Sequence, residues 1–204
     1  MHDDAVRNNI RMEDPSDIDD SSNWIGGFYE LSIKVGPTDD ARLECLLIAI
    51  WRLAGATGPF IRRGEGPSRV APLDLGALSQ HIHGVVRLPS GSTVVCGATA
   101  IRFDDGPDVL SFYMPLAALA RTDGRIQGFP FGQESGAASL GWRRPIDDWL
   151  AELATRVFAE APFQLASIGF EASSFDAPDE LPGDRDFAYV LPLNGVPRYY
   201  EATR

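Results

Sequence analysis

Three side chains of this 204-residue chain have both the chemistry and the spacing to act together: His81, His83 and Cys96. Histidines two residues apart in an extended segment point to one face of a sheet, and neutral imidazole and thiolate both ligate zinc well. A second chemistry suits Cys96 beside His83, a nucleophilic thiol with an imidazole base, because a neighbouring imidazolium stabilises the thiolate. The trio therefore points either to a metal site on His81, His83 and Cys96 or to catalytic roles for His83 and Cys96. The plain alternative is a half-exposed sheet face on which two histidines alternate. No third or fourth metal ligand is fixed by spacing, although Asp74 and Asp104 are available.

Other signatures of catalysis are missing. The chain has no Gly-x-Ser-x-Gly elbow, no His-Glu-x-x-His, no Cys-x-x-Cys and no phosphate-binding Gly-Lys-Ser/Thr loop. The glycines of residues 55–80 read as a surface loop, with Arg62, Arg63 and Arg69 as a local anion site in the minority reading. No cofactor is expected, with zinc as the alternative.

The trio depends on the hairpin that carries it. His81 to Met114 reads as three consecutive antiparallel strands, the first two joined at Ser90-Gly91 and the second and third at Asp104-Asp105-Gly106-Pro107-Asp108. Pairing Leu88 with Thr93 sets Val85 opposite Cys96 and makes Cys96 a diagonal neighbour of His83. A register slipped by one residue would separate them.

Around this meander, Phe28 to Val35 alternates apolar and polar residues as a half-buried strand does. Thr38 is placed to cap a helix with Asp39 and Asp40 in its first turn, an apolar stripe at Leu43, Leu46, Leu47 and Ile50, and an end at Gly55. Cys45, within that pattern, is expected to pack as a small hydrophobe. A second helix is expected to start at Pro145, with Asp147 and Asp148 in its first turn facing the helix dipole. Strands follow at Phe163 to Glu171 and Phe187 to Leu193, then a turn at Asn194-Gly195. This order predicts an α+β fold: a mixed, mostly antiparallel sheet of five to seven strands with two main helices packed on one face. Residues 1–22, acidic and poor in large apolar side chains, are expected to be a disordered tail, and 23–204 a single domain.

The formal net charge of −11 is concentrated, with −5 in residues 1–22 and −5 in residues 171–186. A chain so charged does not suit a nucleic-acid backbone. No apolar run is long enough for a membrane span, and the cytoplasm is the expected location. The leading expectation is an interaction protein, monomer or homodimer, whose acidic segments engage a basic protein, as an immunity-type inhibitor would. Asp176, Asp179, Glu180 and Asp184 are its candidate binding residues. The alternative is a metal-dependent or thiol-dependent hydrolase on His81, His83 and Cys96.

Overall fold

The computed structural model describes residues 14–62, 66–103, 106–126, 136–172 and 183–204. The elements run in the order β1 (Phe28–Pro37), α1 (Asp40–Ala54), β2 (Thr57–Ile61), β3 (Arg69–Val70), α2 (Leu75–Leu78), β4 (Ile82–Arg87), β5 (Thr93–Ile101), β6 (Pro107–Pro115), α3 (Leu116–Thr122), α4 (Gly136–Glu160), β7 (Leu165–Phe170), β8 (Ala188–Leu193) and β9 (Val196–Tyr200). All nine strands join one sheet in the order β3-β2-β4-β5-β6-β1-β7-β8-β9. Each neighbouring pair is antiparallel. The α+β class and the large antiparallel sheet are as expected, while the sheet has nine strands rather than five to seven and four helices accompany it.

One sheet face carries the core. Tyr29, Leu31 and Ile33 of β1 stand opposite Met114, Phe112 and Leu110 of β6 and opposite Phe170, Ile168 and Ala166 of β7. Helices α1 and α4 pack on each other and against β6, β7 and β8. In α1, Leu43, Leu46, Leu47 and Ile50 are buried as the stripe predicts, and Gly55 ends the helix in the left-handed region at φ 67°. The cap is Asp39, whose carboxylate accepts from Arg42 N, and Thr38 instead donates to Asp108. Cys45 faces outward rather than packing inside.

Helix α4 begins at Gly136, nine residues before Pro145. A proline inside a helix cannot donate to the carbonyl four residues back. Here that carbonyl, on Gly141, accepts from Arg125 Nη1 at 3.4 Å, so the helix runs through the proline. Asp147 and Asp148 are consequently mid-helix, and the dipole account of them does not apply.

The opposite face of the sheet is covered near β4 and β5 by the segment expected to be tail. Residues 1–13 of that stretch lie outside the described residues, but 14–24 follow a hydrogen-bonded course ending in a 3-10 turn, Ser21–Trp24. Its acids serve its own turns: Asp14 accepts from Ser16 N, Asp17 from Asp19 N and Asp20 from Ser22 N. Pro15 O accepts from Val95 N where β5 extends beyond β6, and Asn23, fully buried, donates to the carbonyls of Asp14 and Asp17.

Candidate functional site

The β4–β5 hairpin decides the fate of the histidine–cysteine trio. Leu88 N donates to Ser92 O at 2.8 Å, and Gly91 closes the turn at φ 90°. The loop is therefore the three residues Pro89, Ser90 and Gly91, a length that places its last residue in the left-handed region. Arg87 pairs with Thr93, His83 with Gly97 and Gly84 with Cys96, one residue off the register expected. Cys96 thus points into the helix-covered core, fully buried, and burial pushes its thiol pKa up. His83 points to the other face. The structure keeps His81 and His83 near one another and separates Cys96 from both.

Among the described residues no group of three or more His, Cys, Asp or Glu converges to hold a metal ion. Asp74 caps α2 by accepting from Ala77 N, and Asp104 lies outside the described residues. Of the acids proposed to meet a basic partner, Asp176, Asp179 and Glu180 lie outside the described residues, and Asp184 is exposed.

The structure builds something different around His83. Across the sheet from it, Gly97 stands between His83 and Tyr113. A Cβ at Gly97 would lie 2.5 Å from the Tyr113 ring, so only glycine lets that ring lie across the strand. Phe28 packs on Tyr113 with ring centroids 4.5 Å apart, and Trp24 packs on His83 at 4.3 Å. Trp24 is held in place by its indole N–H donating to Ile18 O at 3.0 Å. Between these rings, with Ile18 and Ser21 from the N-terminal segment, Arg62 after β2 and His81 before β4, lies a cavity of about 330 Å³. His81 is set at its mouth by a left-handed backbone, φ 59°, with its N–H bonded to Leu78 O.

The electrostatics of this hollow are unusual. Burial, then the nearby His81 and Arg62, hold the His83 pKa down to about 4, with Asp19 acting in the opposite direction. His83 is therefore neutral at physiological pH. Its Nδ1, and Nε of Arg62, are buried with no hydrogen-bond partner among the described residues. Asp19 directs Oδ1 to Ser68 N at 2.9 Å, which together with its contact to the Ser68 side chain lowers its pKa.

A second polar cluster lies on the helix side. Tyr29 donates to Asp147, whose carboxyl is pushed up to about 7 by burial against the opposing effects of Tyr29 and Arg143. Arg143 donates to the carbonyls of Asp186 and Arg204, and Tyr199 donates to Asp148 at 3.0 Å. Tyr29 and Asp147 are sealed from solvent, which leaves no route for a substrate, and the cluster ties the C-terminal residues to α4.

The hollow was half legible. His81 and His83 stand out by alternation, whereas Trp24 and Phe28, Arg62, and Tyr113 come from three separate stretches that nothing in local sequence brings together. Comparison with protein-family models, with curated proteins and with solved structures gives no match to this chain.

Proposed function

We propose that the protein is a binding protein whose recognition site is the aromatic hollow over β4, taking a small organic ligand. The observation that carries this reading is the pair of buried, unpartnered polar atoms, Arg62 Nε and His83 Nδ1, at an aromatic-walled cavity. An unmade hydrogen bond in a buried polar group costs about 1–3 kcal/mol, so a ligand that draws either atom into a hydrogen bond as the wall of the hollow adjusts recovers part of that cost on binding. Concave, largely apolar sites with a few convergent polar groups and a shifted pKa are where small ligands bind. The hydrolase alternative loses support, because Cys96 and His83 lie on opposite faces of the sheet.

The test is a thermal-shift screen of small aromatic fragments against the full chain and against Ser21→Trp. Ser21 is exposed, so the new ring enters the hollow without removing a core contact. Fragments that bind the native state raise its Tm, and the expected result is a set of such fragments whose effect disappears in Ser21→Trp. Fragments that stabilise both proteins equally, or none that stabilise the parent, would remove the reading.

A second reading keeps the basic protein partner and the immunity-type role, and is favoured by the −5 charge of residues 171–186 with Asp184 exposed. Asp14, Asp17 and Asp20 lend it less support, since they cap their own turns. It predicts an affinity that falls steeply with salt. Unchanged affinity after neutralising Asp176, Asp179, Glu180 and Asp184 together would eliminate it.

A further inference from the structure

Resting on the hollow as the binding site, the geometry points to the class of its ligand: a small planar monoanion, a carboxylate carried on a flat aromatic ring. Arg62 is the permanent cation at the site, and none of the ion pairs formed among the described residues involves it. Its unpartnered Nε–H belongs to a fork that matches the two oxygens of a carboxylate. His83, neutral, offers Nδ1 to a second polar atom without adding a second positive charge. Asp19, close enough to act on both Arg62 and His83, already offsets part of the Arg62 charge, so a doubly charged phosphate is opposed more strongly here than a monoanion held directly on the guanidinium.

Shape gives the other half. Trp24, Phe28 and Tyr113 line the hollow with aromatic rings, which favour another flat ring over a branched or flexible body. A volume of about 330 Å³ lies at the lower end of the range for ligand sites and suits a single small ring better than a dinucleotide.

Calorimetric titration of the full chain with acid–amide pairs of one shape tests this directly: benzoate and benzamide, nicotinate and nicotinamide, indole-3-carboxylate and indole-3-carboxamide. At least one acid is expected to bind about ten-fold more tightly than its amide, the scale of one charge-assisted pair. Arg62→Gln should abolish that preference, the acid losing about ten-fold more affinity than its amide. Acids and amides that bind equally to the parent, with binding lost in Ser21→Trp, would overturn the anion class and leave the hollow as the site. If no pair binds, or if Ser21→Trp binds as the parent does, both the hollow and its ligand class fall. The acid–amide comparison in the parent decides the class even where Arg62→Gln does not fold.

Discussion

His83 and Asp147 titrate in opposite senses, and together they shape how stability depends on pH. In the unfolded chain His83 takes up its proton near its ordinary pKa of 6.5, whereas in the fold burial delays this to about 4. Between those values the unfolded state binds more protons, so the contribution of His83 is complete above 6.5 and is lost as pH falls towards 4. Asp147 runs the other way. Unfolded, it ionises near 3.8, and folded it stays protonated to about 7, so stability falls as pH rises through that interval. From pH 4 to 6.5 the two slopes offset one another. His83→Asn should therefore lose stability, relative to the parent, as pH rises across this window, and Asp147→Asn should lose it as pH falls. For His83 the difference is on the order of 1–2 kcal/mol, less than the full shift implies because solvent screens the half-buried ring. Urea midpoints measured at half-unit pH steps check both slopes, and profiles parallel to the parent's would show that neither group is held in its neutral form. The same residue scale explains the sequence misreading of Cys96. The alternation was visible, but a single left-handed glycine, Gly91, shortened the loop by one residue and so turned the thiol into the core.

At the scale of elements, helix α3 clamps the segment 14–24, whose Ile18, Ser21 and Trp24 wall the hollow. The first turn of α3 has no side-chain cap, and its Leu116 and Ala117 amides donate instead to Gly27 O and Ile25 O. From its last turn Arg121 reaches back to Asn23 and, at 2.7 Å, to Ser22 Oγ, with Asp20 at 3.6 Å. Asn23 is the hub, its amide group donating to two carbonyls and its oxygen accepting from Arg121. Asn23→Ala should cost about 2–3 kcal/mol, because it strips partners from buried groups rather than from solvated ones. Hydrogen exchange locates the loss: the amides of Asp17, Asp20 and Asn23, bonded to Asp14 O, Asp17 O and Asp20 O, should exchange faster, while those of the central strands stay protected. Undiminished protection would mean that Asn23 does not organise the clamp. Composition alone marks this stretch as disordered because it lacks apolar mass. What orders it are short-range carboxylate caps and one buried amide, whose third partner, Arg121, lies 98 residues away and is not a local signal.

The whole molecule is an open sheet, so it has two edges to protect. The meander and both long helices were legible because their periodicities extend over many residues, but the edges were not: β3 has two residues, and β9, the far strand of a hairpin, has five and carries a proline. Asn194 and Gly195, at φ 52° and 77°, make the two-residue turn that joins β8 to β9. In such a hairpin the closing pair, Leu193 and Val196, exchanges backbone hydrogen bonds, so the next pair, Pro192 and Pro197, turns its nitrogens outward. Proline has no N–H to offer there, which removes a donor from the free side of β9 at the point where another strand would add. At the other end β3 limits pairing by its brevity, even though Val70 is largely exposed. Pro197→Thr restores the donor on a β-favouring residue without disturbing a core contact. The expected outcome is self-association that grows with concentration in sedimentation velocity, beyond whatever the parent shows, with the β8–β9 hairpin amides gaining protection. A variant that sediments as the parent does at every concentration would mean that the edge is guarded by something other than this proline, with the neighbouring Arg198 and Glu201 charges as the next groups to change.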